Sequence, residues 1–358
     1  MPSKLLTDYP WTTGPVIINA PMAGFAGSAL AMAVTQAGGI GTIGSADNIT
    51  ALGTDLQAVA DAFSSPSSSY LSASTFYQST GLLPVGVGML LFLTTIDAVV
   101  PVLQPHPPAF LWLFAAPTLS DYAPWATALR AALPQTRIWI QVGSATAATE
   151  VARTAAPDVL VIQGSDAGGH GFARGASVIS LLPETAVRLA ADPSVEQAGT
   201  NITLVAAGGI VEGRGAAAAL ALGAAGVVMG TRFLAANETV VHSTYRAAML
   251  STSDGALDTA RAPVFDELKG PTIWPPLYDG RAIASLSYLD WTNGVDIEVI
   301  RQRYAEAATR DNMGFSDRAP VWAGTGVALV NEVQPARDIV RSVREGTKKA
   351  LRKALEAI

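Results

Sequence analysis

Gln163 to Arg174 reads QGSDAGGHGFAR, which sets His170, one of three histidines in this 358-residue chain, directly behind the pair Gly168-Gly169. The preceding Val159-Leu160-Val161-Ile162 is an apolar run of the kind that forms a buried strand. A histidine delivered by a strand end suits proton transfer. An imidazole, with an ordinary pKa of about 6.5, can take a proton in one step and return it in the next. The two glycines let a ligand approach the backbone, which makes Gly168 and Gly169 candidate cofactor contacts beside it. Two more glycine turns follow apolar runs: Ala207-Gly208-Gly209-Ile210 and Gly230-Thr231-Arg232-Phe233. Exposed N–H groups in such turns suit a phosphate, and the Thr231 hydroxyl adds a donor. Gly39-Ile40-Gly41-Thr42-Ile43-Gly44 spells the GxGxxG of dinucleotide binding. Its glycines fall inside a strand, however, and not between a strand and a helix, so it reads as a strand packed against a helix. Ala20-Pro21-Met22-Ala23-Gly24 closes an earlier strand with a Pro-Met turn that could press against a flat ring.

The elements that must hold these residues follow from the hydrophobic pattern. Short Val/Ile/Leu-rich runs signal strands near Val16 to Ala20, Gly39 to Ile43, Val85 to Met89, Phe110 to Phe114, Arg137 to Gln141, Asp158 to Ile162, Ile202 to Ala206 and Gly226 to Met229. Alanine-rich helical patterning falls between most of them, near Ser28 to Ala37, Leu52 to Ala62, Leu93 to Leu103, Ala123 to Leu133, Ala145 to Thr154, Val178 to Ala190 and Gly213 to Leu222. Such alternation predicts an α/β fold, a (β/α)8 TIM barrel, whose strand carboxyl ends carry the active site. Between 238 and 319 the regular alternation gives way to tryptophans, tyrosines and loop stretches such as GPTIWPPLYDGR. This segment is expected to be an inserted, mainly helical lid and substrate subdomain, leaving 1–237 and 320–358 as the barrel. Val321-Trp322-Ala323-Gly324-Thr325-Gly326 and the helix after it then return the chain to the barrel.

Composition narrows the chemistry. A formal charge of -6 provides no basic field for nucleic acid. The absence of cysteine excludes disulfides and thiolate chemistry, and three dispersed histidines give no metal pattern, so redox work would need an organic cofactor. Val85 to Leu103 imitates a membrane span with Asp97 as its sole charge, yet a central Asp costs about 2.5–3.5 kcal/mol on insertion. The run divides naturally into a strand and a helix. Lys348, Lys349, Arg352 and Lys353 read as the solvated face of a helix. With no secretory leader pattern, the expectation is a cytoplasmic protein acting on small molecules, with neither membrane nor nucleic acid as partner.

NAPMAG at the first strand, QVGSA after the fifth, QGSDAGGHG, AAGGI, and ALALGAAGVVMGTRFLA through the eighth together resemble the nitronate monooxygenases, flavin enzymes on a TIM barrel. RAPVFDELKGP, YDGRAI and VWAGTGV add to the likeness, and GGHG is similar to the fungal branch. The resemblance implies FMN contacts at Ala20, Pro21, Met22, Ala207, Gly208, Gly209, Gly230 and Thr231, with Gln141 and Gln163 meeting the ring or its ribityl chain. It implies His170 as the catalytic base and oxidation of alkyl nitronates, or their parent nitroalkanes, by O2 to a carbonyl compound and nitrite. Gly88 stands where many bacterial members carry a flavin-touching asparagine. Two other readings remain open: an FMN-dependent NAD(P)H:quinone or enoyl reductase on the same barrel, and a non-redox barrel binding a phosphorylated metabolite.

Overall fold

The computed structural model describes residues 4–45, 48–64, 71–197, 201–310 and 313–357. Its strands run in chain order β1 (Ile17–Asn19), β2 (Gly41–Ser45), β3 (Leu83–Leu90), β4 (Pro108–Phe114), β5 (Arg137–Val142), β6 (Val159–Gln163), β7 (Gly169–Phe172), β8 (Thr203–Ala207), β9 (Val227–Met229), β10 (Thr259–Ala262) and β11 (Tyr278–Ile283). Eight of these pair in parallel in the order β1-β9-β8-β6-β5-β4-β3-β2. A parallel bridge between Ile18 and Ile40 closes the ring. The result is the expected (β/α)8 barrel, and its strands are largely buried because both faces are covered.

Helices occupy the expected intervals: Ser28–Gln36, Ile49–Ser64, Ile96–Leu103, Tyr122–Ala132, Ala145–Ala155, Val178–Ala190 and Gly213–Ala221. The eighth barrel helix is Ala336–Leu355, beyond the inserted segment. It buries Ile339, Val340 and Val343 and leaves Lys348 and Lys349 exposed. From it Arg344 donates to the carbonyls of Ala37 and Gly38, tying the last helix to the start of the barrel. Val85 to Leu103 is divided between β3 and Ile96–Leu103, and no described helix is long and apolar enough to cross a membrane.

The GxGxxG stretch is a packing device. A Cβ at Gly41 would collide with the Ala31 carbonyl of the first barrel helix, and one at Gly44 with the Met22 backbone. Only glycine lets that helix lie so close to β2.

The inserted segment contains the helices Ser243–Ser251, Leu286–Thr292 and Ile297–Arg310, with shorter helical turns, and also β10 and β11. These two strands reveal a role for QGSDAGGHGFAR that strand-end reasoning alone did not anticipate. Gly169–Phe172 is itself a strand, β7, in an antiparallel sheet ordered β10-β11-β7, with His170 opposite Gly280.

Candidate active site

At the carboxyl ends of the barrel strands lies a cavity of about 280 Å³. Its wall includes Ala20, Pro21 and Met22 from the turn after β1, Gln141 and Gln163 from β5 and β6, Gly168, Gly169 and His170, and Gly230 and Thr231 after β9. Residues spread over more than 200 positions of sequence thus converge, because parallel strands present all their carboxyl ends on one face. Ala207, Gly208 and Gly209 are not on this wall. Gly208 packs on the segment after β6, where a Cβ would lie 2.7 Å from the Gly164 carbonyl, and Gly209 faces Asp166 and Thr325. Both glycines have positive φ, +106° and +72°, a conformation that glycine adopts without strain. Among the described residues, the amide N–H groups of Gly208, Gly209 and Gly230 have no protein acceptor, which leaves them free for an anion. Thr231 Oγ1 accepts from Gly324 N–H at 3.0 Å, so its own proton remains to be donated.

His170 is held on three sides. Nε2 lies 2.7 Å from Asp266 Oδ1, and both side chains are largely buried. The ring stacks on Trp274 at a centroid distance of 3.6 Å and an interplanar angle of 9°, while Trp322 tilts against it at 4.7 Å. A carboxylate can only accept, so Asp266 fixes the tautomer with Nε2–H and leaves Nδ1 as the basic nitrogen. From below, Gln163 Nε2 donates to the His170 carbonyl at 3.0 Å. The strand partner Gly280, the carboxylate Asp266 and the stacking Trp274 all come from the inserted segment. Glycine at 280 is needed for this arrangement, since a Cβ there would run into the Trp322 ring.

Gln141 is oriented by a second tryptophan. Trp112 Nε1–H donates to Gln141 Oε1 at 3.0 Å, and an indole nitrogen can only donate. The amide oxygen of Gln141 is therefore committed, and its NH2 group is the part left to serve a ligand acceptor. The departure at Gly88 has a steric basis: a Cβ at that position would collide with the Pro21 ring, so this Pro-Met turn admits no side chain there.

Sequence reasoning missed Asp266, Trp274 and Trp112. Asp266 sits in RAPVFDELKGP, where nothing local marks it, for its partner is 96 residues away. Of the tyrosines in the chain, Tyr245 reaches the cavity, and its buried hydroxyl donates to the Trp322 carbonyl. Burial pushes its pKa well up, so it stays a neutral wall. Tyr278 does not line the cavity. Burial pushes it up to about 12, and its hydroxyl donates to the Ala116 carbonyl. Behind β7, Arg261 pairs with Asp279, and Arg281 donates to the Ser165 carbonyl near Asp166. Burial, and then the charge of Arg261, lowers the pKa of Arg281, which shows how closely the two cations are confined.

A family model described as nitronate monooxygenase matches residues 134–346. The chain is 38% identical over 348 residues to a protein of Metarhizium robertsii named nitronate monooxygenase npaC, covering 95% of this chain and 93% of that one. It is 37% identical to a nitronate monooxygenase of Neurospora crassa, covering 98% and 94%. A solved structure of nitroalkane oxidase from Streptomyces ansochromogenes superposes with a TM-score of 0.70 at 22% identity, covering 99% of this chain and 100% of that one, which supports the barrel fold.

Proposed function

Because the chain belongs to the nitronate monooxygenase family, we propose that it is an FMN-dependent enzyme that oxidises alkyl nitronates, and their neutral nitroalkanes, with O2 to a carbonyl compound and nitrite. The observation that carries this reading is His170, held by Asp266 from behind, on the wall of a cavity that also offers an apolar turn at Pro21-Met22 and an oriented, free NH2 donor at Gln141. These residues fit a flavin. Pro21 and Met22 would lie against the ring, the Gln141 amide would donate to it, and the unpartnered amides at Gly208, Gly209 and Gly230, with Thr231, would hold its phosphate. Bound FMN supplies the electron transfer between nitronate and dioxygen.

The protein's own share is proton handling, orientation and exclusion of water. With a neutral nitroalkane, Nδ1 of His170 removes the α-proton, and Asp266 stabilises the imidazolium that results. With a nitronate no proton need be taken, and the protonated ring positions the anion. Trp274 and Trp322 keep bulk water from this face of the ring. Residues 238–319 act as the lid in this reading, and they contribute Asp266 and Trp274 to the barrel's site.

The test is the flavin. Heat-released cofactor from purified protein should be FMN, and addition of a nitronate under air should release nitrite. Thr231→Glu places a carboxylate where the phosphate would sit and should reduce FMN retention by repulsion. Stoichiometric FAD, or full FMN retention in this variant, would count against the assignment.

A further inference from the structure

The inserted segment is fastened to the barrel at several points. β11 pairs with β7 over residues 278–281, Arg281 Nε donates to the Ser165 carbonyl at 3.2 Å, and the Tyr278 hydroxyl donates to the Ala116 carbonyl at 3.0 Å. Ile283 N–H donates to the Val321 carbonyl at 2.9 Å, and a Cβ at Gly255 would lie 1.8 Å from the Thr325 carbonyl. A body held by main-chain pairing and by contacts this close lifts as a unit only if they break.

Residues 270–276 are held differently. Among the described residues, the hydrogen bonds of 271–276 run from Trp274 N–H to the Thr272 hydroxyl and from Tyr278 N–H to the Pro275 carbonyl, so none reaches beyond the adjoining Tyr278. Thr272 and Ile273 are exposed. At one end Gly270 has a φ of +137°, which favours glycine, and open space where a Cβ would be. At the other, Pro275 and Pro276 stiffen the chain before Leu277, whose carbonyl accepts from Ala173 N–H at 2.9 Å. Into the site this strap sends the Trp274 side chain, which stacks on His170 and meets the Phe92 ring at 4.7 Å. Phe92 follows β3 and His170 follows β6, strands three places apart in the barrel order, so the indole bridges two walls of the cavity.

We infer that residues 270–276 form a gate with Trp274 as its leaf. The strap swings about Gly270 to uncover His170 and closes by restacking the indole on His170 and Phe92, while the rest of the inserted segment stays fixed. This confines the moving part of the lid to the strap, and it holds for any ligand the cavity takes. A stacked ring pair is a short-range contact that loop motion on the microsecond-to-millisecond scale can break and remake.

The chain has no cysteine, so introduced pairs carry spin labels without background. Ile273→Cys with Leu257→Cys measures the strap against the fixed insert, and Leu257→Cys with Ile179→Cys measures the insert against the barrel; all three side chains are exposed. Trp274→Ala should raise the share of a longer, open strap distance at least about threefold. Trp274→Phe, which keeps a ring on the imidazole, should leave the distribution near that of the unsubstituted strap, and the insert-to-barrel distance should not change in either variant. A strap distance unaffected by Trp274→Ala overturns the gate. Movement of Leu257 against Ile179 in step with the strap overturns it as well, because the whole insert would then be the moving body. These distances need no ligand, so they decide the gate separately from the nitronate reading. Stopped-flow binding of 1-nitropentane, followed by tryptophan fluorescence, adds a kinetic test. A gate limits entry and exit alike, so Trp274→Ala should raise the association and dissociation rates together, each at least about tenfold. Faster dissociation with unchanged association would make Trp274 a plain wall contact and overturn the gate.

Discussion

The two ends of the barrel are both lined with aromatic rings, and strand β4 supplies each of them: Phe110 near the floor, Trp112 and Phe114 toward the mouth. At the floor Phe110 stacks on Trp139 at 4.0 Å, and Tyr9 meets both edge-on. Both indole N–H groups there are spent within the protein. Trp139 Nε1–H donates to the Tyr9 hydroxyl at 2.7 Å, and Trp11 Nε1–H donates to the Gly39 carbonyl. The mouth uses similar rings differently. Trp112 spends its N–H on Gln141, which frees an amide NH2, and Trp274 stacks on a histidine that retains one basic nitrogen. Aromatic packing is common to both ends, so it does not mark function. The difference lies in polar groups that are oriented by the protein and left without a protein partner.

The comparison breaks most readily at His170. His170→Asn should keep FMN but lose activity on a neutral nitroalkane by about 10² to 10⁴, the share of a general base, and lose less on preformed nitronate. Equal losses on the two substrates would make the residue an anion-positioning group and remove the base from the mouth. At the floor, Trp139→Ala should cost about 3–5 kcal/mol of stability in chemical denaturation, with the turnover of the folded fraction little changed. A drop in turnover without loss of stability would show that the floor takes part in the chemistry.

A finer cut is Asp266→Asn, which removes a charge-assisted hydrogen bond worth about 1.5–3 kcal/mol and should lower kcat/KM for neutral nitroalkanes by about 10- to 100-fold. Its effect on preformed nitronate should be smaller, a split that simple loosening of the lid would not produce. The smallest expected effect is that of Tyr9→Phe. It leaves the buried Trp139 N–H without an acceptor and should cost about 1–3 kcal/mol of stability while kcat and KM hold. A stability unchanged by that substitution would mean that water or a neighbour satisfies the indole, and the floor would be less closed than the hydrogen bonds indicate.

Much of the barrel was legible in the sequence, because a buried parallel strand is a run of apolar residues and its covering helix has a period of its own, both local signals. The glycines of Gly39 to Gly44 could be assigned to packing because their place inside a strand conflicts with the geometry of a dinucleotide turn. His170 stood out through its glycines and its strand end. What the sequence could not disclose was that Gly169–Phe172 pairs with β11, that Asp266 and Trp274 arrive from the inserted segment to fix the imidazole, or that Pro21 forbids a side chain at position 88. Those are contacts between residues remote in the chain. Periodicity and turn chemistry report which face of an element is buried, whereas the identity of the group buried against it is set only when the elements pack. The sequence by itself determined the barrel and the histidine; the tertiary structure decided the ring's tautomer, its carboxylate partner and the tryptophans packed against it.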